Sequence, residues 1–362
     1  MIGVIQVHSA PYRDYTFLEC QKKAPWKWIV ATFPDGMHTH PEWNYLSVKE
    51  DYIGDPPKVF NLFGRKMVYN PDIRKWLKEY HFDAILIEGY NSLTNIFAIL
   101  YCIWKKIPII LGVDSVNNPG YKFLKKILYH IVSAFWVPGE RSKNYLLSEG
   151  VDGRKIFLGK YTYDYREIYE IIKKTNKASV KNTYNITNDE IVILFVGKLI
   201  KSRNIGFLLD SFREIKKNIK LIVIGDGPEE GKVTRCQDDR IIYIPRVPLS
   251  NLYSFYAISD IYIHPGSEPY SLAVVQAVVA DLIVISSKDV GAVDDVITHG
   301  ENGLLIEKNC KEDLINAINY VLINFNRMKV NAQKRGNFIR NERSINFASN
   351  QLIDAVKYIK NK

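Results

Sequence analysis

Cysteine is scarce in this 362-residue chain, and the few cysteines lie far apart. The four are Cys20, Cys102, Cys236 and Cys310. No two of them form a C-x-x-C pair, so the sequence gives no support for a zinc cluster or for a disulfide framework. We expect four free thiols in a reducing compartment.

Long apolar runs without charge are also lacking. The longest candidate, "IFAILYCIWKKIPIILGVDS" at 96–115, is divided by Lys105, Lys106 and Pro108. A membrane-spanning helix needs about 20 consecutive apolar residues, so this run predicts a helix, a short loop and a buried strand instead. Residues 1–7 have no basic segment before an apolar core, and we expect a first strand there, not a secretory signal.

Acidic residues are outnumbered, with 39 Asp and Glu against 49 Lys and Arg, which gives a net charge of +10. This excess favours a polyanionic partner, such as nucleic acid, an anionic membrane surface or a phosphorylated substrate, but does not choose among them. Because the basic residues form no recognisable nucleic-acid-binding element, we do not expect a nucleic-acid partner.

The first half of the chain alternates short apolar runs with amphipathic segments. Buried strands are predicted at 2–7, 28–33, 83–89, 107–113 and 134–139, and helices at 91–104, 120–131 and 140–149. Near-continuous Val, Ile, Leu and Phe runs are typical of a parallel sheet that is covered on both faces. We therefore predict an N-terminal Rossmann-like domain over 1–172.

The same alternation restarts after the polar stretch 173–190, whose composition predicts a linker. Strands are predicted at 191–197, 219–225, 240–245, 260–265, 282–286 and 303–307. A second Rossmann-like domain is therefore predicted over 191–343. The final segment, 344–362, is helical in pattern and is a candidate to pack back on the N-terminal domain.

Chemistry is expected in the loops after the strands, because ligands of open α/β sheets bind at the carboxyl ends of the strands. The loop after 191–197 contains Gly197, Lys198, Lys201 and Arg203. A glycine that admits close backbone approach, with cations near a helix N-terminus, suits a diphosphate. A solvated basic loop is the alternative interpretation.

The loop after strand 260–265 leads into an uncharged helix, "SLAVVQAVVA". Glu268 is placed to accept hydrogen bonds from hydroxyl groups. Gln276 lies deeper in this helix, where an unpaired buried amide would cost about 1–3 kcal/mol, so it needs a partner, and a ligand could supply one.

The C-terminal half resembles glycosyltransferase family 4 (group 1), which comprises retaining enzymes with the GT-B fold. The resemblance covers about 191–307 and rests on three blocks in order: "ILFVGKLIKSRNIGFLLDSF", "LIVIGDGPEE" and "LYSFYAISDIYIHPGSEPYSLAVVQAVVADLIVISSKDVGAVDDVITHGENGLLIE". The N-terminal half resembles the acceptor-side domain more loosely. The resemblance implies an α/β protein with two Rossmann-like domains facing across a cleft.

The resemblance implies a donor site in the second domain. The family's phosphate-binding Arg and Lys fall on Lys198 and Arg203, and both cations are expected to be exposed in the empty site. The family's E-x7-E acids fall on Glu268, which implies donor-sugar contact and catalysis, and on Gln276, which implies ribose contact. The rest of the implied donor site comprises Gly197, Gly266, Ser267, Pro269, Tyr270, Ser271 and Leu272. No obligatory metal or other cofactor is expected.

The N-terminal domain departs from the family pattern at two loops. The loop after the first strand is "HSAPYRD", where many members have a glycine-rich loop. The region after strand 107–113 reads "DSVNNPG", where many members have a histidine. His8 and Asp114 are the catalytic candidates of this domain, and ordinary polar loop residues are the alternative.

The segment "GYKFLKKILYHIVSAF", 120–135, contains Lys122, Lys125 and Lys126 among apolar residues. It predicts either an amphipathic core helix with a solvated cationic face or a helix that docks on anionic lipid. We expect a cytoplasmic protein, peripheral on the inner face of the membrane if the second alternative holds.

The resemblance implies transfer of a sugar from a nucleotide-diphosphate donor to a hydroxyl of a glycan or lipid-linked acceptor, with retention, in bacterial surface polysaccharide synthesis. Two alternatives remain. One is a non-catalytic GT-B module that binds sugars or partners, suggested by Gln276 and by the missing histidine. The other is a sugar-nucleotide epimerase on the same fold.

Overall fold

The structure is a computed structural model and describes residues 1–6, 10–33, 52–62, 65–114 and 122–361. The chain divides into two compact units. Unit 1 comprises Met1–Tyr163 and Arg343–Lys362, and unit 2 comprises Asp164–Glu342. Within the described part, none of the helices is both long enough and apolar enough to cross a bilayer.

Unit 1 contains a parallel sheet of the strand order β3-β2-β1-β6-β7-β8-β9 and a separate hairpin, β4–β5. Its strands are β1 Ile2–Gln6, β2 Trp28–Thr32, β3 Tyr52–Ile53, β4 Lys58–Leu62, β5 Arg65–Tyr69, β6 Ala84–Glu88, β7 Ile109–Gly112, β8 Ala134–Val137 and β9 Ile156–Leu158. Its helices before Tyr163 are α1 Pro11–Lys23, α2 Ile73–Glu79, α3 Leu93–Lys105, α4 Lys122–Ile131 and α5 Glu140–Ser148.

Unit 2 begins with the helices α6 Tyr165–Lys174 and α7 Lys177–Thr183. Its sheet is parallel, with the strand order β12-β11-β10-β13-β14-β15. The strands are β10 Ile191–Val196, β11 Ile219–Ile224, β12 Ile241–Ile244, β13 Ile261–His264, β14 Ile283–Ser287 and β15 Gly303–Ile306. The helices that follow are α8 Ile205–Phe212, α9 Glu230–Thr234, α10 Leu249–Ile258, α11 Leu272–Val279, α12 Val293–Val296, α13 Lys311–Ile323 and α14 Phe325–Glu342.

The last helix, α15 Ile345–Lys360, belongs to unit 1. It buries Leu352 and Val356 with Phe17 of α1 against one face of the unit 1 sheet. The opposite face is covered by residues of α2, α3 and α4. Strands covered on both faces explain the continuous apolar runs, and the two sheets confirm the predicted pair of Rossmann-like domains.

The division between the units differs from the one suggested by composition. It falls after Tyr163 and not after residue 172, because α6 buries Ile168 and Ile172 in unit 2, against α10, α11 and α14. Residues 173–190, expected to be a linker, contain α7. This helix has no buried residue, which is why its sequence is as polar as a linker.

Candidate functional site

The strand order of unit 2 reverses between β10 and β13, and the loops after these two strands lie at the position where α/β sheets bind ligands. The loop after β10 packs closely on the loop after β11. A Cβ atom on Gly225 would lie 1.9 Å from the carbonyl oxygen of Gly197, and one on Gly227 would lie 2.6 Å from that of Leu199. Both glycines also have a positive φ, so neither position tolerates a larger residue.

The loop after β13 packs on the other side of the 197–204 loop. Ser267 N donates to the carbonyl of Ser202 at 2.8 Å. A Cβ atom on Gly266 would lie 2.2 Å from that same carbonyl oxygen, so glycine is required for this approach. The two loops that hold the implied phosphate and sugar residues are thus in direct backbone contact.

Arg203 joins these loops through its side chain. Its Nη1 donates to the carbonyl of Ser267 at 2.9 Å, and its Nη2 lies 2.5 Å from Oε1 of Glu268. The Arg203 side chain is 17% exposed, contrary to the expectation that both cations would be exposed. Only Lys198 meets that expectation: it is exposed and forms no ion pair with a described residue.

Glu268 has a second partner, His264, at the carboxyl end of β13. Its Oε2 lies 3.2 Å from Nε2 of His264, a side chain that is 1% exposed. Because no described group pairs with His264 Nδ1, we assign the proton to Nε2, which then donates to the carboxylate. The contact between His264 and Glu268 was not predicted from the sequence. The proximity follows from the backbone path after Pro265.

The loop after β14 forms backbone hydrogen bonds with Glu268. Glu268 N donates to the carbonyl of Asp289 at 3.3 Å, and Gly291 N donates to that of Glu268 at 3.0 Å. A Cβ atom on Gly291 would lie 1.8 Å from the carbonyl oxygen of Pro269. The backbone of Glu268 and Pro269 is therefore fixed by a third loop.

One cation at this edge was not predicted from the sequence. Lys308, after β15, places its Nζ 3.3 Å from Oγ of Ser267 and 3.8 Å from Oδ2 of Asp289. No motif surrounds it, and only the neighbouring positions of β14 and β15 in the sheet bring it near Ser267.

The helix after the Glu268 loop begins as predicted. Ser271 is the N-cap of α11, and its Oγ accepts from Val274 N at 3.4 Å. Leu272 is the first helical residue, and the helix N-terminus beside this loop provides partial positive charge. Pro269, Tyr270, Ser271 and Leu272 thus lie between Glu268 and the helix, and their contact with a donor stays a prediction.

Gln276 is 6% exposed, and its amide already has a partner within the protein. The hydroxyl of Tyr256, on α10, lies 3.4 Å from Oε1 of Gln276. The amide oxygen therefore does not need a ligand to be satisfied. The ribose contact of Gln276 stays a prediction.

Unit 1 has a buried ionic network at the corresponding edge of its own sheet. Lys160, which follows β9, lies 2.8 Å from Oε2 of Glu88 and also donates to Oδ1 of Asp114. Arg13 Nη1 lies 3.5 Å from the same Glu88 oxygen. Tyr161 donates from its hydroxyl to Oδ2 of Asp114. The two cations and two carboxylates balance one another.

Asp114 is the charged member of this network that reaches the surface. Its side chain is 36% exposed, whereas those of Arg13, Glu88 and Lys160 are almost fully buried. Burial would raise the pKa of Asp114, but the Lys160 ammonium and the hydrogen bonds from Lys160 and Tyr161 outweigh it and hold the pKa below the ordinary value. The site therefore presents an ionised carboxylate.

The catalytic role of Asp114 stays a prediction, as does that of His8, which lies outside the described residues. Glu88, Arg13 and Lys160 were not singled out from the sequence. Among the described residues, no three His, Cys, Asp or Glu side chains are grouped as a metal site would require.

The cationic face expected for 120–135 is different in the structure. Lys125 is buried, with 6% exposure, so it cannot meet a lipid surface in this conformation. Lys126 is exposed, together with Leu124, Ile127 and Ile131. Among the described side chains of α4, the outer side is therefore more apolar than cationic, and the side chain of Lys122 lies outside the described part.

Comparison with known proteins agrees with this architecture. Residues 176–343 match the family "Glycosyl transferases group 1". Alpha-monoglucosyldiacylglycerol synthase of Acholeplasma laidlawii is 30% identical over 146 residues, which cover 38% of this chain and 36% of that protein. An uncharacterized glycosyltransferase of Methanocaldococcus jannaschii is 25% identical over 309 residues, which cover 78% of this chain and 76% of that protein.

Among solved structures, Anabaena HepE in complex with UDP has a TM-score of 0.75 at 15% identity, covering 98% of this chain and 99% of HepE. Similarity at this level shows the fold, and it agrees with the predicted GT-B fold. Apart from its last residue, Arg343, the match to the family model lies within unit 2, which contains the Lys198, Arg203 and Glu268 loops. The similarity to the group 1 glycosyl transferases covers residues 176–343 of this chain.

Proposed function

We propose that this chain is a retaining family 4 glycosyltransferase. It moves a sugar from a nucleotide-diphosphate donor to a hydroxyl of a glycan or lipid-linked acceptor. The single observation that supports this most is that Glu268 contacts both Arg203 and His264 at the point where the unit 2 strand order reverses. A cation and a carboxylate held there can act on a leaving diphosphate and on a sugar, respectively.

In this proposal, the diphosphate binds Lys198 and Arg203. As the bond between the sugar carbon and the phosphate oxygen breaks, the electron pair leaves with the diphosphate, and the two cations stabilise the growing negative charge. No metal is needed for this step, because the cations come from the chain itself. Lys308, 3.3 Å from the Ser267 hydroxyl, is a third cation for the same anion.

Glu268 acts on the positive charge that develops on the sugar in the same step. The sugar carbon becomes positive as the diphosphate leaves, and the Glu268 carboxylate stabilises that positive character. Arg203 and His264 hold the two carboxylate oxygens, so the side chain does not have to reorganise when the charge develops.

The acceptor is bound by unit 1 in this proposal. Asp114 presents an ionised carboxylate that can accept a hydrogen bond from an acceptor hydroxyl, and its lowered pKa keeps it charged at neutral pH. The Acholeplasma relative is named a synthase of a glucosylated diacylglycerol, which supports a lipid or lipid-linked acceptor here. A role in surface polysaccharide synthesis and a position at the inner face of the cytoplasmic membrane are parts of the same proposal.

The test is a screen of UDP-, GDP- and ADP-sugars against the purified chain by thermal shift, followed by assay of the hits for nucleoside diphosphate release. We expect one nucleotide to raise the melting temperature and its sugar to be released slowly into water. The anomeric configuration of a transferred product, read by NMR, tests retention. If no nucleotide sugar stabilises the chain, the proposal is wrong.

A non-catalytic sugar-binding module is the second candidate, favoured by the Tyr256–Gln276 contact, which gives the amide oxygen a partner without a ligand. It predicts stabilisation by a nucleotide sugar without nucleoside diphosphate release, with or without acceptor. An epimerase would instead exchange a sugar C–H proton with solvent deuterium, which NMR detects.

A further inference from the structure

Helices α3 and α4 lie on the same face of the unit 1 sheet. They connect β6 to β7 and β7 to β8, which are neighbouring parallel strands, and such connections are right-handed. Their inward residues, among them Ala98, Cys102 and Tyr129, share one buried cluster. The outward sides of the two helices are therefore neighbours.

The outward side of α3 is apolar. Ile96, Leu100, Ile103 and Trp104 follow the spacing of a single helical stripe, and all are exposed. Trp104 is 71% exposed and Leu100 is 60% exposed. A helix that faces water normally has polar residues on this side, so α3 has two apolar faces and only one of them is used by the core.

The outward side of α4 has the same character. Leu124, Ile127 and Ile131 are exposed along one stripe, and Leu124 is 60% exposed. Exposed apolar stripes on two helices of one sheet face are unusual in a protein that stays free in water, and they indicate an interaction surface.

The charged side chains on these two helices have one sign. Neither α3 nor α4 contains an Asp or Glu, whereas Lys105, Lys106 and Lys126 are exposed. Lys105 Nζ lies 4.1 Å from the centroid of the Trp104 ring. An aromatic ring beside an ammonium group suits the boundary of a bilayer, where rings lie at headgroup depth and cations meet lipid phosphates.

We propose that the α3–α4 surface, meaning the exposed sides of these two helices, docks the chain on an anionic lipid bilayer. The apolar stripes enter the headgroup and acyl boundary, and the three lysines contact anionic headgroups. A folded protein partner would also cover apolar residues, but two helices that carry cations and no carboxylate favour a polyanionic surface. The inference rests on the proposed function and deepens it, because it names the surface through which the chain would contact the membrane.

The experiment is co-sedimentation of the full chain with vesicles of phosphatidylcholine alone and of phosphatidylcholine with phosphatidylglycerol, at low and high salt. We expect binding to the anionic vesicles only. The variant Leu100→Ser/Trp104→Ser/Leu124→Ser should bind about tenfold or more weakly, because inserted apolar area drives this kind of docking. Alanine at Lys105, Lys106 and Lys126 together should weaken binding on the order of 100-fold at low salt.

The matched control is Ile323→Ser/Val330→Ser/Phe338→Ser, which removes three exposed apolar residues from unit 2 and should bind as the wild type does. Brominated lipids should quench tryptophan fluorescence in the wild type and less so in Trp104→Phe. Donor hydrolysis in solution should be equal in all variants, so a failure of docking is separable from a failure of the proposed function.

Wild-type protein that stays in the supernatant with anionic vesicles at low salt would overturn the proposal. So would a serine variant that binds as tightly as the wild type. A lower mass for the serine variant than for the wild type, in sedimentation without lipid, would show that two copies of the chain cover this surface instead.

Discussion

Arg203 and Glu268 form an ion pair, with 2.5 Å between Nη2 and Oε1, although the family resemblance implies contact with different parts of a donor for each of them. Arg203 follows β10 and Glu268 follows β13, the neighbours between which the strand order reverses. Unit 1 has the same relationship: Arg13 follows β1, Glu88 ends β6, and 3.5 Å separate them. In unit 1 the pair is buried, whereas in unit 2 it is partly exposed.

Because Arg203 is paired with Glu268 and Lys198 is not, substitutions of these two cations should differ in their effect on stability. Lys198→Ala should weaken nucleoside diphosphate binding by about 1.5–3 kcal/mol without changing the melting temperature, because Lys198 is exposed. Arg203→Ala should weaken binding similarly and also lower the melting temperature by roughly 2–4 °C, since Glu268 loses a partner at a cost of about 1 kcal/mol.

Isothermal and scanning calorimetry measure both effects. Lys216→Ala, an exposed lysine before β11 at the opposite sheet edge, is the matched control and should change neither. Full nucleotide affinity in both Lys198→Ala and Arg203→Ala would remove this loop from the site.

Glu268→Gln should reduce turnover by about 100-fold and change nucleoside diphosphate affinity by less than about threefold. The amide keeps the shape and can still contact His264, but it has no charge to stabilise the sugar carbon. Steady-state kinetics with calorimetric affinity on the same preparation separate the two quantities. Glu301→Gln, an exposed acid before β15, is the control. Full activity in Glu268→Gln would make this residue an ordinary loop acid.

Gln276→Glu should give equal or tighter nucleoside diphosphate binding with retained turnover. The Tyr256 hydroxyl can donate to a carboxylate as well as to the amide oxygen that it now contacts, so the new charge has a partner. Adding Tyr256→Phe to this variant should lower its melting temperature more than Tyr256→Phe lowers that of the wild type. If Gln276→Glu alone unfolds the protein, Gln276 is a core amide.

Lys160→Met should destabilise the protein by about 3–5 kcal/mol, because it leaves the carboxylate of Glu88, whose side chain is 3% exposed, without its nearest cation. Combining it with Glu88→Leu should recover part of the loss, since the uncompensated charge is then gone. Urea unfolding measures both variants. A loss in the double variant equal to the sum of the single losses would contradict this coupling.

Asp114 should make stability depend on pH in a defined direction. Its pKa in the folded protein lies below the ordinary 3.8, because Lys160 and Tyr161 outweigh burial. Such a group contributes stability that is fully present above its unfolded pKa and is lost as pH falls through its folded pKa. The difference in unfolding free energy between wild type and Asp114→Asn should therefore be constant at about pH 5–7 and shrink below about pH 4.

Urea unfolding at a series of pH values checks this. In a Tyr161→Phe background this difference in unfolding free energy should depend less on pH, because one hydrogen bond to the Asp114 carboxylate is missing. A difference that grows as pH falls would mean that the sign of the pKa shift is wrong.

The sequence alone predicted most strands, their parallel pairing and the second-domain loops that hold the candidate site. These features are local: apolar runs make buried strands, and glycine or charge after a strand ends it. The hairpin β4–β5 and the short strand β9 were not predicted, since Lys58–Leu62 and Ile156–Leu158 lack the continuous apolar run of a core strand.

Only the tertiary structure decided which side chains meet. Composition gave Lys125 and Lys126 the same role, but the helix turns Lys125 inward and Lys126 outward. No spacing rule brings Lys160 to Glu88, because the contact depends on neighbouring strands being aligned in one sheet. The sequence determined the chemistry available at each strand end, and the order of strands in the sheet determined the pairing of Arg203 with Glu268.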